Sequence, residues 1–265
     1  MQSRATSVLT GLAVCLIGVV VTLPGSVFAT PAEAQALVSV PAAQDSPATG
    51  HGTVAIPREP LPAEDAGSEL VDMAAAIDAG VSQDVLGLAL AAVNCAVASG
   101  DITAPPTLTL IDYSRPSTQQ RLWVIDLRTG GIRFHELVAH GKGTGENLAE
   151  HFSDDMNSHQ SSLGLFVARD TYVGSNGYSL RLDGLEPGFN SRARERAIVI
   201  HGASYVDEGF AAKQGRLGRS WGCPALREAI ARDVIDFVRD GGVIFSYYPN
   251  QAWLDRSKFL HCHQS

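Results

Sequence analysis

Between Arg196 and Leu226 the chain reads RAIVIHGASYVDEGFAAKQGRLGRSWGCPAL. Ala197–Gly202, AIVIHG, is a short apolar run that suits a buried strand and ends on His201 and Gly202. Gly218–Pro224, GRSWGCP, is a glycine-bounded turn that presents Cys223. The spacing places Cys223 at the start of a helix, where partial positive charge lowers a thiol pKa. A free thiol titrates near ~8.5, so a nearby imidazole, His201, adds to thiolate formation at neutral pH. Gly222 lets the backbone approach a substrate carbonyl. Amides around Ser220, Trp221 and Gly222 offer donors for an oxyanion. A lone cysteine is more often a small buried hydrophobe, and a lone histidine a hydrogen-bonded core residue. The glycine flanks on both favour a nucleophile and its base.

Upstream of this stretch the apolar period is that of strands. TLTLIDY (107–113), RLWVIDL (121–127) and IRFHELVA (132–139) are β-like runs, with a Thr129-Gly130-Gly131 turn between the last two. Residues 141–162 are polar and glycine-rich and read as a long loop. LGLFVA, YSLRLDG and AIVIHG follow, then a helix over 225–239 and the run GVIFSYY. Many short strands with one late helix predict a mainly β, α+β fold, a sandwich or barrel. Ser68 and Ser82 cap two helical segments, closed by Gly80 and Gly100, so 68–100 reads as a helical hairpin docked on a catalytic domain over 101–250. Residues 251–265 are a C-terminal tail.

The N-terminal region reads differently. Arg4 precedes a nearly uncharged apolar run, Val8–Leu23, and Val27-Phe28-Ala29 has the small-residue pattern of a cleavage site. Residues 1–29 therefore read as a signal peptide cut after Ala29, which leaves no stable membrane anchor. The competing reading is an uncleaved anchor, for which the run is short. Residues 30–67, rich in Ala, Pro and small polar residues, read as a disordered linker. The 265 residues carry 45% hydrophobic content and a formal charge of −8, ample for one core and unsuited to binding nucleic acid.

HGA followed by GRSWGCPAL resembles the catalytic motif of the L,D-transpeptidases of YkuD-like fold, and more closely the murein L,D-transpeptidase catalytic domain family. IDYSRPS (111–117), VAHGKGTG (138–145), SSLGLF (161–166) and GYSLRLDGLEPGFN (177–190) extend the resemblance over about 108–250. It implies a peptidoglycan enzyme of the periplasm or cell envelope, needing no metal or organic cofactor and open to acylation by carbapenem-type inhibitors. Cys223 matches the nucleophile and His201 the general base, with the Gly202 carbonyl orienting the imidazole. Trp221 departs from the pattern, which commonly has His there, and Pro224-Ala225 departs from the usual pair after the cysteine.

The resemblance also places Tyr178, Ser179 and Arg181 on a substrate-side wall. Arg181 or Arg219 would clamp a substrate carboxylate, against the plain reading of each as a solvated surface charge. His140 reads as structural, His151 and His159 as surface residues. With the leader removed, Cys95, Cys223 and Cys262 remain. Cys223 being the nucleophile, Cys95 and Cys262 are expected to pair, the alternative being two unpaired thiols. His261-Cys262-His263 lacks the accompanying ligands of a zinc site, so no metal is expected. The reaction implied is transfer of a stem-peptide acyl group through a thioester to an amine. Water as acceptor would give an L,D-carboxypeptidase. A non-catalytic peptidoglycan-binding protein is the reading from another class.

Overall fold

The computed structural model describes residues 73–262. The expected signal peptide over 1–29, the expected linker over 30–67 and the start of the first helix expected at Ser68 lie outside the described residues. No helix among the described residues is long and apolar enough to cross a membrane.

Helix α1 spans Met73–Asp78 and α2 Gln83–Ala98. In α2, Val85, Leu86, Ala89, Ala92, Val93 and Ala96 recur at helical spacing and form its buried stripe. Strands β1 (Thr107–Asp112), β2 (Leu122–Asp126) and β3 (Ile132–Glu136) form an antiparallel meander. The loop expected over 141–162 separates it from the hairpin of β4 (Gly164–Gly174) and β5 (Gly177–Gly184). Next come β6 (Val199–Gly202), α3 (Glu208–Gln214), β7 (Ala225–Leu226), α4 (Glu228–Val238), β8 (Val243–Tyr247) and α5 (Gln251–Arg256).

All eight strands join one sheet in the order β3-β2-β1-β8-β4-β5-β6-β7. Pairing is antiparallel except for β6–β7, joined through α3, and β1–β8, which are far apart in the chain. Beyond β3, Ala139 pairs with Ala225 of β7, so the two ends of the sheet meet and the barrel nearly closes.

The central strands are buried on both faces, and their alternation sorts two cores. Leu108, Leu110, Trp123, Ile125, Leu165, Val167, Val243 and Phe245 face outward under α2, with Trp253 and Phe259 from the C-terminal segment. Ile111, Leu122, Val124, Phe166, Ala168 and Ile244 face inward toward α4. Helix α4 contributes Ala231, Val234, Ile235 and Val238, one turn apart on a single face. Burying Val234 and Ile235 completely stabilises by roughly 1.5–3 kcal/mol each. Cys95 of α2 is disulfide-bonded to Cys262, Cα atoms 5.7 Å apart, tying the chain end to the hairpin.

Candidate active site

The two motif segments converge at the sheet's closing end. Strand β6 carries His201, whose neighbours across the ladder are Ser179 of β5 and Ala225 of β7. A Cβ on Gly202 would stand 3.1 Å from Ala231 Cβ and 3.3 Å from Glu228 Cα, so a glycine here lets α4 lie close on the strand. The 141–162 loop supports the nucleophile turn from the other side. Ser220 donates its amide to the His140 carbonyl at 3.0 Å, and the Lys142 amide donates to the Ser220 carbonyl at 2.8 Å.

The turn itself is braced internally. Ser220 Oγ donates to the Cys223 carbonyl at 2.6 Å and accepts the Gly222 amide at 3.1 Å. Ser161 Oγ donates to the Gly222 carbonyl at 3.1 Å. Gly222 holds φ at +121°, and a Cβ there would stand 2.8 Å from the Gln160 carbonyl oxygen. The Gly222 amide is thus committed within the turn. The amides of Trp221 and Cys223 meet no backbone acceptor among the described residues.

Cys223 is 7% exposed and His201 5%, and both line one cleft of about 440 Å³ with Ser220, Trp221, Arg219 and Arg196. Cys223 Sγ–H points at the Ala197 carbonyl, 3.6 Å away. Burial pushes the Cys223 thiol up from its ordinary value, against opposing hydrogen bonds from the Val199 and Cys223 backbone and the charge of Arg196. Burial also pulls the His201 imidazole down, opposed by its bond to Gly202. His201 Nδ1 lies 2.9 Å from the Gly202 carbonyl oxygen. A carbonyl only accepts, so Nδ1 carries the proton and Nε2 keeps a free lone pair. The resting pair is a neutral thiol and a neutral imidazole of fixed tautomer, suited to general-base activation of the sulfur.

The family model of the L,D-transpeptidase catalytic domain matches residues 77–247. The chain belongs to the L,D-transpeptidase catalytic domain family. The match starts inside α1, so α2 lies within the matched region. A search of curated proteins returned no match. Among solved structures the chain resembles an L,D-transpeptidase from Mycobacterium smegmatis at 15% identity, covering 54% of this chain and 59% of that one, TM-score 0.34. An L,D-transpeptidase from Stackebrandtia nassauensis is 16% identical, covering 61% and 66%, TM-score 0.32. The helical cell shape determining protein Pgp2 from Campylobacter jejuni is 15% identical, covering 54% and 48%, TM-score 0.34. The chain thus spans under two thirds of the length of the Mycobacterium structure.

Within this L,D-transpeptidase domain the expected substrate residues separate. Arg219 borders the Cys223 cleft and is held by the Gly145 carbonyl at 2.9 Å and by Glu146 at 2.7 Å. Arg181 lines a separate cleft of about 190 Å³, ion-paired with Asp170 and stacked 4.0 Å from the Tyr172 ring centroid. Tyr178 donates to Asp236 of α4 at 2.5 Å and lies under Arg232. Ser179 is fully buried beside His201 and donates to the Gly177 carbonyl at 3.1 Å. Trp221 stands 70% exposed at the cleft rim, stacked on His159 with centroids 4.9 Å apart. His159 is therefore a rim partner rather than a free surface residue. His140 is buried; its Nδ1 accepts from Arg121 at 2.8 Å, which leaves Nε2 to donate toward the Gly145 carbonyl.

One local expectation is corrected. Cys223 is not at a helix N-terminus, because β7 intervenes and α4 begins only at Glu228. No helix dipole offsets the burial of the thiol. Five cleft-lining residues were not singled out from the sequence: Ser175, Asn176, Arg196, Ala197 and Tyr205.

Proposed function

We propose that this protein is an exported peptidoglycan L,D-transpeptidase acting through a thioester on Cys223. The observation that carries the reading is the shared cleft of Cys223 and His201, with His201 Nδ1 committed to the Gly202 carbonyl. Cys223 Sγ attacks the carbonyl carbon of the L-to-D bond in a stem peptide, and its proton passes to His201 Nε2. The Cys223 and Trp221 amides face the developing oxyanion. The intermediate collapses, the C–N bond breaks, and His201 returns the proton to the departing D-amino acid. A neighbouring stem-peptide amine then attacks the thioester, gives a proton to His201 and releases Cys223.

Arg219, the arginine that borders this cleft, is the group we assign to a substrate carboxylate. The same nucleophile would open the strained ring of a carbapenem and retain it as an acyl adduct. Export follows from the leader-like sequence of residues 1–29.

The test is mass spectrometry of the mature protein with tetrapeptide muropeptides, beside Cys223→Ala. Release of the terminal D-residue together with a cross-linked dimer supports transpeptidation. Release without dimer means that water is the acceptor and the enzyme is a carboxypeptidase. No turnover over a range of acceptors, with muropeptides bound unchanged, makes this a binding protein.

A further inference from the structure

Arg196 lies in the turn three residues before β6, and its side chain is 3% exposed. Nη1 donates to the Ser153 carbonyl and to Ser162 Oγ, both at 2.6 Å. Nη2 donates to the Gln160 carbonyl at 2.6 Å and to Ser158 Oγ at 3.1 Å. Every one of these acceptors is neutral. The paired carboxylate, Asp154, stands 3.8 Å off and already accepts the Arg192 amide at 3.0 Å and Ser191 Oγ at 3.2 Å. A buried guanidinium so placed retains much of its field.

That field falls on the nucleophile turn. Arg196 lines the cleft with Cys223, and Nη2 is 3.5 Å from where a Gly222 Cβ would be. The adjoining Ala197, held at a positive φ of 54°, supplies the carbonyl that meets Cys223 Sγ. The other titratable groups around the sulfur supply no fixed charge. Tyr113 and Tyr205 are both pushed up to about 12 and stay neutral, and His201 is neutral at rest. Arg219 borders the cleft but is neutralised by Glu146.

We propose that Arg196 is a positioning residue for acyl transfer: its buried guanidinium clamps the 153–162 loop against the nucleophile turn and favours the Cys223 thiolate as His201 takes the proton. The proposal rests on Cys223 being the nucleophile. It explains how a thiol buried away from any helix terminus becomes a thiolate at all.

The test is the pH dependence of iodoacetamide alkylation, followed on the Cys223 peptide by mass spectrometry. Arg196→Gln is expected to move the alkylation midpoint upward, so that the rate at pH 7 falls about tenfold, one pKa unit of thiolate. At high pH its rate rejoins the wild type. Arg196→Lys keeps the charge without spanning all four acceptors and is expected to keep a midpoint close to wild type. Ser158→Ala with Ser162→Ala, which loosens the clamp alone, leaves the midpoint unmoved. A deficit in Arg196→Gln that is equal at every pH overturns the proposal, because a structural role would give that result. If Arg196→Gln does not fold, Arg196→Lys decides: a midpoint near wild type supports the proposal and a large upward shift overturns it. Alkylation needs no muropeptide, so a shifted midpoint in a protein that forms no thioester would sink the transpeptidase reading and with it the acyl-transfer role, leaving only the effect of Arg196 on the Cys223 thiol.

Discussion

His201 Nδ1 donates to the carbonyl of Gly202, the next residue in the chain, at 2.9 Å. A backbone carbonyl thus takes the orienting position that a carboxylate holds in a Ser-His-Asp triad, fixing the tautomer without adding a negative charge. With no such charge and with burial, His201 titrates below its ordinary value of 6.5. The base is therefore more than half neutral at pH 6.5. We expect the acid limb of kcat/KM to have its midpoint below 6.5. His201→Ala should lose about 10²–10⁴ in kcat/KM. A pH–rate profile on a muropeptide donor checks both, and an acid limb centred above 6.5 would contradict the geometry.

His140 makes a separate prediction about stability. Burial, and next the charge of Arg121, lower it to about 4 from an ordinary 6.5. Between those values the unfolded chain binds a proton that the folded chain refuses. The contribution is present in full above pH 6.5 and is lost as pH falls toward about 4. Its size is on the order of 3 kcal/mol. Urea unfolding at pH 7 and pH 4.5 should show a shallower fall for His140→Gln than for wild type.

Gly222→Ala tests the nucleophile turn. At φ +121° an L-residue is strained, and its Cβ would meet the Gln160 carbonyl oxygen at 2.8 Å and Ile198 Cδ1 at 2.9 Å. We expect a loss of about 1–3 kcal/mol in unfolding free energy. Relief of the clash moves the Cys223 turn, so alkylation of Cys223 should slow as well. Thermal melts and alkylation rates on the same sample check the pair of effects.

Strands β1 to β6, β8 and helix α4 were legible because apolar runs such as TLTLIDY and RLWVIDL read as strands, whereas the short α3 over Glu208–Gln214 was not read from the sequence. The barrel's closure was not, since it depends on Ala139 pairing with Ala225 across a long loop, and neither residue advertises a partner. Cys223 and His201 were legible from glycine-flanked motifs. Arg196 was not, because a guanidinium satisfied by carbonyls and serines at 153–162 leaves no sequence pattern. The helix start misread at Cys223 has a similar cause: Ala225–Leu226 is too short a strand to show any period.

The Cys95–Cys262 bridge closes 167 residues of chain and sits with the outer core, on the side of the sheet away from Cys223. Removing it by Cys95→Ala with Cys262→Ala should destabilise by about 2–5 kcal/mol. The Cys223 alkylation rate at 25 °C should stay unchanged. Parallel urea curves and alkylation time courses separate the effects, and a bridge that also shaped the cleft would slow both.

Trp221 supplies a direct reading of cleft occupancy. Trp123 and Trp253 are fully buried, their indole N–H groups held by the Ala79 carbonyl at 2.9 Å and by Glu186 at 3.0 Å. Trp221 is 70% exposed beside the nucleophile. A water-soluble quencher such as iodide should therefore act on Trp221 alone, and Trp221→Phe should abolish the quenchable fraction. A stem peptide bound across the cleft of Cys223→Ala covers this rim, so adding muropeptide should reduce quenching in proportion to binding. Quenching that stays constant while an independent titration shows saturation would mean that the peptide enters from the side opposite Trp221. The indole would then have no part in donor recognition, and Trp221→Ala would leave KM where it is.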